Sequence, residues 1–388
     1  MTIELDRSVA DRRDMRFQVC TRTVMDTTDP DITFDKDGVC NYWYEYRAFL
    51  DTLPSTEERD RLFRETIDRI KVAGAGRKYD CLIGLSGGVD SSYLAWLAKE
   101  NGLRPLAVHF DNGWNTELAV GNIEALVSKL GLDLETFVMD WDEFRDLQRA
   151  YFKASVVDLE VPTDHMILGA LYRTASRHGI KYILSGTNNA TEWLLPRAWH
   201  YRKFDLVNLK AIHARFGSVP LKKLPALGVW QQAYYWHVRR IRTAALLDLI
   251  DYRKDEARRR LIEDLGWRDY GGKHHESIFT RFYQGYILPR KFDADKRKAH
   301  LSTLILSGQM TREEALRELQ QPTYDPDLQE RDKAYVAKKL GFTADEFEAV
   351  LTQPNVSHEL YGTDVAQRAS VNRKLSRLVP LKRAIAGR

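Results

Sequence analysis

Short apolar runs alternate with segments of helical periodicity through the middle of this chain. The apolar runs have the length and composition of buried strands, and they lie at 81–85, 106–110, 134–139 and 181–185. Between and after them, apolar residues recur at helical spacing, which predicts helices from 91 onward and over 116–130, 142–155 and 164–178. This alternation predicts an α/β fold, a doubly wound parallel sheet with helices on both faces. Folds of this kind bind ligands at the carboxyl ends of their strands.

The alternation is missing on both sides of that region. Before it, the pattern predicts a short hairpin around an Asp-Lys-Asp-Gly turn, then a helix that Ser55 and Glu58 begin and that runs to about Val72. After about 196 we predict a long basic and aromatic helix over 229–262 and then small helices. Two of the small helices begin at capping boxes, Thr311 with Glu314 and Thr343 with Glu346. We therefore predict three units: a zinc-ribbon-like hairpin and helix over 1–78, a nucleotide-binding α/β domain over 79–215, and a mainly helical region that binds substrate or partner over 216–388.

The composition narrows the class of protein without identifying it. The chain has 388 residues, of which 44% are hydrophobic and 29% charged, as expected for a globular protein with a large core. A net charge of +4 is too small to indicate nucleic-acid binding, and it suits an anionic small substrate equally well. We find no apolar run long enough to span a membrane and no signal peptide. Three cysteines do not make a disulfide framework, so we expect a cytoplasmic, reducing setting.

The stretch after the first strand has the features of a phosphate-binding loop. It reads Ser86-Gly-Gly-Val-Asp-Ser-Ser92, and a helix follows directly. The N–H groups of a helix's first turn and the helix dipole attract anions, and Gly87 and Gly88 let the backbone approach a ligand closely. The hydroxyls of Ser86, Ser91 and Ser92 add donors. The ATPase P-loop is excluded because the Gly-Lys-Ser/Thr signature is missing. The string resembles the pyrophosphate loop (PP-loop) of the ATP pyrophosphatases, such as NAD synthetase, GMP synthetase and asparagine synthetase, which split ATP into AMP and pyrophosphate.

Polar residues also follow the second and fourth strands. The fourth strand ends in Gly186-Thr187-Asn-Asn-Ala-Thr-Glu192, which resembles a motif of NAD synthetase. The resemblance implies that Glu192 and Asp90 share a magnesium ion, and two carboxylates are typical of a Mg²⁺ site completed by phosphate oxygens. Asp111, after the second strand, is a candidate to bind the nucleoside. The other interpretations are a surface charge for Glu192 and an ordinary turn for Asp111.

A second candidate block starts at Trp267. It includes Gly-Gly-Lys273-His-His-Glu276-Ser, followed by an aromatic run. Lys273 or Arg281 is a candidate to bind the leaving pyrophosphate, and Glu276 to orient a nucleophile. A plain surface helix is the alternative. Earlier in the chain, His165 opens a predicted helix, where either a catalytic role or a buried, hydrogen-bonded role fits the pattern.

Two cysteines frame the N-terminal hairpin. Cys20 and Cys40 suggest a zinc ribbon, but such a site needs a second thiolate about three residues after each of them. Those positions hold Thr23 and Trp43, which zinc does not use. The hairpin is therefore either a vestigial zinc site that still holds the metal or, as we favour, a module with two packed free thiols.

Together these motifs resemble the N-acetyl sugar amidotransferases, enzymes of surface-polysaccharide and nonulosonic-acid biosynthesis. The family-specific parts are the run Cys20-x-x-x-Val-Met-Asp-x-Thr-Asp-Pro30 and the block at 271–297. The resemblance implies an ATP- and Mg²⁺-dependent enzyme that adenylates the acetamido oxygen of a nucleotide-linked N-acetyl sugar, for example a UDP-diacetamido-uronic acid. Ammonia would then displace AMP and leave an acetamidino sugar for lipopolysaccharide (LPS) O-antigen.

The family also implies a partner and leaves two alternatives open. Cys81 lies inside a strand and is no glutaminase nucleophile, so ammonia would come from a glutaminase and barrel pair resembling the subunits of imidazole-glycerol-phosphate synthase. One alternative is a tRNA-modifying adenylating enzyme, which would typically need catalytic cysteines in the PP-loop domain. The other is a non-catalytic protein that docks a glutamine amidotransferase.

Overall fold

A computed structural model describes residues 17–271 and 276–374 of the chain. Its centre is one parallel sheet of five strands in the order β3-β2-β1-β4-β5. The strands are Cys81–Leu85 (β1), Pro105–Asp111 (β2), Asp133–Val138 (β3), Tyr182–Leu184 (β4) and Arg242–Ala244 (β5). The chain leaves β1 towards β2 and β3 and then returns to β4 on the other side, so the order reverses between β1 and β4. This arrangement confirms the predicted α/β, doubly wound parallel fold and puts the point of reversal beside the PP-loop.

Sixteen α-helices in the described residues surround or extend this sheet. Those up to β4 are Asn41–Leu50 (α1), Thr56–Ala73 (α2), Val89–Glu100 (α3), Glu117–Leu130 (α4), Trp141–Ala154 (α5) and Val161–Arg177 (α6). Those after β4 are Asn189–Glu192 (α7), Leu206–Phe216 (α8), Val229–Ala233 (α9), Lys254–Leu265 (α10), Ile278–Phe282 (α11), Leu288–Lys291 (α12), Lys296–Leu306 (α13), Arg312–Leu319 (α14), Pro326–Leu340 (α15) and Ala344–Thr352 (α16). Short π-helical turns extend α9 over Tyr234–Val238 and α11 over Tyr283–Ile287.

Helix boundaries follow the capping residues that the sequence provides. The Ser55 hydroxyl accepts the Glu58 N–H at 3.2 Å and begins α2. Both later capping boxes, at Thr311 with Glu314 and at Thr343 with Glu346, are formed in full. The sequence-based helix starts are therefore confirmed at all three places, since an N-cap oxygen satisfies an N–H group that the helix itself leaves unpaired.

The prediction of one helix over 229–262 is wrong. That range contains α9, the π-helical turn, β5, a 3-10 turn over Leu246–Leu249 and the first part of α10. Arg, Ala and Leu are strong helix formers, but in this segment the backbone of Arg242–Ala244 pairs with β4 and completes the sheet. The sheet consequently extends beyond residue 215, where we had predicted the end of the α/β domain.

Two hydrophobic clusters cover the sheet and anchor the helical parts to it. One joins β1, α3 and α10 and includes Ile70 of α2, so this helix packs on the sheet layer. The other is rich in aromatic residues and joins α5 to α11, α15 and α16, with Trp114, Phe279 and Tyr283 fully or almost fully buried. The helical C-terminal region therefore packs directly beyond the carboxyl ends of the strands.

The N-terminal hairpin is attached to the C-terminal helices. Ser302 of α13 accepts the Val24 N–H at 3.2 Å, and the Arg312 guanidinium donates to the Cys20 and Thr23 carbonyls at 2.9 and 3.0 Å. Lys298 forms an ion pair with the buried Asp26. The part of the chain that the structure describes holds no helix long and apolar enough to cross a membrane.

Candidate active site

The loop after β1 lies at the centre of the sheet, where the strand order reverses. Its residues Ser86 to Gly88 lead into α3, which no side chain of the described residues caps. The Ser86 and Ser91 hydroxyls lie 3.2 Å apart, and Ser86 Oγ accepts the Gly88 N–H at 3.2 Å. A helix start without a side-chain cap, with hydroxyls beside it, is a suitable site for a phosphate group.

Gly87 can have no side chain in this loop. Its φ is +84°, a conformation that side chains disfavour, and a Cβ would lie 2.8 Å from the carbonyl oxygen of Ala119 in α4. The indole N–H of the buried Trp267 donates to the Gly87 carbonyl at 2.8 Å. The loop is thus fixed from two sides before any ligand binds.

Ser92 differs from the other two serines of the loop. Its side chain is fully buried on the inner face of α3, and its hydroxyl has no hydrogen-bond partner among the described residues. Ser86 is exposed and Ser91 is half-buried. The geometry therefore favours Ser86 and Ser91 as ligand donors, and the predicted role of Ser92 stays a prediction.

The segment after β4 lies against the start of α3. A Cβ on Gly186 would be 3.4 Å from the Ser91 nitrogen, which shows how closely the two backbones approach. Thr187 follows on the surface, with its hydroxyl 2.7 Å from that of Ser185. The sequence motif after the fourth strand and the PP-loop are therefore neighbours, as the sheet topology predicted.

The two predicted magnesium ligands are linked by their neighbours. Asn188 caps α7, the helix that carries Glu192, by accepting the Thr191 N–H at 2.9 Å, and its amide nitrogen lies 3.5 Å from Asp90 Oδ1. The Tyr252 hydroxyl donates to the same Asp90 oxygen at 2.5 Å. Burial raises the pKa of Tyr252, and the charges of Asp90 and Glu192 raise it further. One phenol is therefore within electrostatic reach of both carboxylates.

This donor set fits Mg²⁺ bound together with a nucleotide. Among the described residues no group of three or more His, Cys, Asp and Glu side chains is arranged to hold a metal ion. Two carboxylates alone leave several positions of a magnesium octahedron to phosphate and water oxygens, which is the usual arrangement in ATP-using enzymes.

Glu276 is brought to the loop by backbone pairing. Its carbonyl accepts the Thr116 N–H at 2.9 Å, and Asn115 and Ser277 form an antiparallel bridge beyond β2. A Cβ on Gly88 would lie 3.7 Å from Glu276 Oε1 and 3.4 Å from the Tyr270 hydroxyl. The carboxylate and the phenol therefore border the place where the loop would hold phosphates. Lys273, predicted to bind pyrophosphate, lies outside the described residues.

Tyr270 contacts the start of α3 itself. Burial together with the nearby Glu276 carboxylate raises the pKa of Tyr270. The phenol therefore lies beside the N-terminal turn of α3, at the border of the loop.

Asp111 ends β2 and accepts the Gly113 N–H at 2.9 Å, which shapes the turn after the strand. His109, two residues earlier in β2, is buried. Its Nδ1 lies 3.2 Å from the Leu85 carbonyl oxygen and its Nε2 lies 3.3 Å from the Asn115 amide nitrogen. Asp111 is therefore at the predicted edge of the sheet, and its role towards the nucleoside stays a prediction.

His165 and Arg281 have other partners. His165 is fully buried, its Nδ1 lies 2.8 Å from the Lys203 carbonyl, and its Nε2 accepts the Leu227 N–H at 3.1 Å. Both ring nitrogens serve the backbone, and burial lowers the pKa of His165, so the geometry favours the structural one of its two predicted roles. Arg281 forms a two-pronged ion pair with the buried Asp332 at 2.9 Å, which commits its guanidinium to α15.

Cys20 and Cys40 lie together in the N-terminal hairpin, as in a zinc ribbon, but two of the four ligands of such a site are missing. Cys20 Sγ accepts the N–H groups of Arg22, Thr23 and Cys40 at 3.2–3.4 Å, and the Thr23 hydroxyl lies 3.6 Å from Cys40 Sγ. The hydrogen bond from the Cys40 thiol lowers the pKa of Cys20. Two thiols, a hydroxyl and an indole do not match the four ligands of a structural zinc ion. The described cysteines are free.

Sequence patterns assigned no individual role to Tyr252, Tyr270, Trp267 or Asn188, although Asn188 lies inside the motif after the fourth strand. Trp267 and Tyr270 stand just before the Gly-Gly of the block that the sequence singled out, so proximity was a usable signal for them. For Tyr252 the sequence held no signal, because it fell in the middle of the incorrectly predicted helix.

Two family models match this chain. Residues 79–204 match the asparagine synthase model, and residues 276–374 match "LPS biosynthesis protein WbpG-like, C-terminal domain". The first match covers the sheet as far as β4 and the PP-loop, which defines the class: a PP-loop ATP pyrophosphatase. The second match begins at Glu276. Together the two matches are similar to the combination expected of the N-acetyl sugar amidotransferases among the PP-loop proteins, and they support an ATP-dependent enzyme of the ligase type.

Individual relatives are distant. An uncharacterized protein of Methanocaldococcus jannaschii is 23% identical over 81% of this chain and 97% of its own length. A tRNA(Ile)-lysidine synthase of Chlamydia pneumoniae is 30% identical over 34% of this chain and 40% of its own length.

Two solved structures resemble the chain weakly. The NMN synthetase of Francisella tularensis has a TM-score of 0.29 at 20% identity, over 37% of this chain and 58% of its own. The NH3-dependent NAD synthetase of Campylobacter jejuni has a TM-score of 0.30 at 16% identity, over 74% and 97%. Similarity at this level carries no argument about function.

Proposed function

We propose that this protein converts an acetamido group of a nucleotide-linked N-acetyl sugar into an acetamidino group. ATP would adenylate the acetamido oxygen, and ammonia would then replace it. The product would serve the synthesis of surface polysaccharide such as LPS O-antigen, in agreement with the family model matched at 276–374.

One observation supports the proposal above the others. The segment with which that family model begins is held at the PP-loop, since Glu276 pairs with Thr116 and borders Gly88. The part of the chain typical of LPS biosynthesis and the part typical of ATP pyrophosphatases thus line one site, where a phosphate and a second substrate can meet.

In the first step the amide oxygen of the sugar would attack the α-phosphorus of ATP, and the bond to pyrophosphate would break. The N-terminal turn of α3 and the Ser86 and Ser91 hydroxyls would bind the departing pyrophosphate, because they offer donors and a positive dipole end. Asp90 and Glu192 would hold Mg²⁺, which when bound neutralises negative charge on the phosphates.

In the second step ammonia would add to the activated carbon, and the C–O bond to AMP would break. A carboxylate beside the loop would take a proton from the attacking ammonia, and the closeness of Glu276 to Gly88 supports this role for it. Lys273 stays a proposed pyrophosphate ligand. A glutaminase and barrel pair, as in imidazole-glycerol-phosphate synthase, is the proposed source of ammonia.

The test is mass spectrometry of candidate nucleotide sugars after incubation with ATP, Mg²⁺ and ammonium. We expect the oxygen of one acetamido group to be replaced by NH, with one AMP and one pyrophosphate formed for each sugar. Formation of ADP and phosphate instead would contradict the mechanism. Asp90→Ala and Glu192→Ala should each lose turnover and keep their fold, whereas Asp251→Ala, a surface carboxylate next to Tyr252, should stay active.

A tRNA-modifying enzyme is the second candidate, because the lysidine synthase of Chlamydia pneumoniae is 30% identical over 34% of the chain. That match leaves about two thirds of the chain uncovered, whereas the WbpG-like model matches the C-terminal region at 276–374. Incubation with bulk tRNA and ATP distinguishes the two, since AMP release that depends on tRNA and not on a sugar would favour the alternative.

A further inference from the structure

The connection that follows β5 touches the proposed magnesium site twice. Tyr252 stands at its end, and its hydroxyl donates to Asp90 Oδ1 at 2.5 Å across 162 residues of sequence. Asp248, earlier in the connection, accepts the Asn189 N–H at 2.7 Å. Asn189 is the first residue of α7, the helix that carries Glu192. One short segment therefore supports both carboxylates.

The Tyr252 side chain is built into this position. It is 3% exposed, its ring packs on that of Tyr93 with centroids 5.5 Å apart, and its carbonyl accepts the Gln309 side chain at 3.4 Å. A buried hydroxyl needs a hydrogen-bond partner, and a carboxylate is the strongest acceptor available to it.

A fixed donor on one oxygen restricts how a carboxylate can rotate. Asp90 Oδ1 receives the Tyr252 hydroxyl and lies 3.5 Å from the Asn188 amide, so the plane of the carboxylate is set by two neighbours. Metal-binding carboxylates are commonly oriented in this way by hydrogen bonds from residues behind them, and loss of such a bond typically weakens metal binding about 10- to 100-fold.

We propose that Tyr252 is a positioning residue that orients Asp90 for Mg²⁺, and that the connection after β5 fixes the relative positions of the two metal-binding carboxylates. This inference rests on the proposed function, since it presupposes that Asp90 and Glu192 bind the metal. Tyr252 itself touches neither substrate nor metal in this assignment. Its effect passes through Asp90.

The test measures metal binding directly. Mn²⁺, a paramagnetic substitute for Mg²⁺, is titrated into protein saturated with α,β-methylene-ATP and followed by electron paramagnetic resonance. Tyr252→Phe keeps the ring and removes only the hydroxyl, so we expect the Mn²⁺ dissociation constant to rise about tenfold or more. With substrate present, the Mg²⁺ concentration needed for half-maximal rate should rise similarly, while the rate at saturating Mg²⁺ recovers most of the wild-type value.

Tyr93→Phe is the matched control, because it removes the hydroxyl of a ring that packs on Tyr252 and keeps the ring itself. It should bind Mn²⁺ as the wild type does. Equal Mn²⁺ binding by Tyr252→Phe and wild type would overturn the inference, as would an equal weakening by Tyr93→Phe. Failure of the proposed function would look different: the wild type would bind Mn²⁺ with the nucleotide and yet form no acetamidino sugar.

Discussion

Gly87→Ala tests whether the PP-loop must keep its observed shape to bind ATP. The added methyl group meets two obstacles. The backbone at Gly87 has a φ of +84°, and the new Cβ would lie 2.8 Å from the Ala119 carbonyl oxygen. That oxygen belongs to the backbone of α4, so it cannot move aside as the end of a flexible side chain would.

The two obstacles contribute separately to the expected loss of stability and of ATP affinity. Forcing alanine into the left-handed region costs about 1–2 kcal/mol. The close contact requires the loop or α4 to shift as well, and the indole of Trp267 holds the Gly87 carbonyl at 2.8 Å against such a shift. A displaced N–H group that loses its hydrogen bond to a charged phosphate forfeits about 1.5–3 kcal/mol, which corresponds to ATP binding about 10- to 100-fold weaker.

Gly131→Ala supplies the matched control. Gly131 also has a positive φ, +58°, but a Cβ there meets nothing within 4 Å, and the residue ends α4 away from the loop. Both variants should lose about 1 kcal/mol or more of unfolding free energy in urea, whereas calorimetry with α,β-methylene-ATP and Mg²⁺ should show weaker binding for Gly87→Ala only. Unchanged nucleotide affinity in Gly87→Ala would refute the claim that this loop shape binds the phosphates.

Two further predictions concern titration and metal content. Burial lowers the pKa of His358 from 6.5 to about 4, so below pH 6.5 the unfolded chain binds a proton that the folded chain refuses. The free energy of unfolding should therefore fall by about 3 kcal/mol between pH 7 and pH 4 through this group, and urea denaturation of His358→Gln should show that much less acid sensitivity. Elemental analysis should find no stoichiometric zinc in the native protein, but one zinc per chain in the double variant Thr23→Cys with Trp43→Cys, which completes the ligand set of Cys20 and Cys40. Stoichiometric zinc in the native protein would show that the incomplete set suffices.

The sheet was predictable where the pattern was strong and local. Each of the first four strands lies within a residue or two of its predicted bounds, since an apolar run flanked by turns has few other ways to fold. β5 was not predictable in this way. Its sequence, Arg242–Ala244, contains no apolar run, and its pairing with the edge of β4 makes it a strand.

The candidate active site was likewise predictable from the sequence only in part. The loop after β1 and Gly186 after β4 were predicted to lie at one edge of the sheet, because parallel strands end there. Tyr252 reaches Asp90 from 162 residues away, and no periodicity encodes such a contact. For His165 the sequence left two roles open, because a buried histidine that is hydrogen-bonded to the backbone and a catalytic histidine can have the same local sequence.

The position of Glu276 links the two halves of the molecule. The PP-loop depends on the sheet for its shape, and Glu276 depends on pairing of its own backbone with Thr116, just beyond β2. The segment that begins the C-terminal family match is therefore fixed to the strand ends by main-chain hydrogen bonds, which tolerate changes of side chain. Such an attachment keeps Glu276 beside Gly88 through main-chain contacts, so its position depends little on which side chains the rest of the C-terminal region carries.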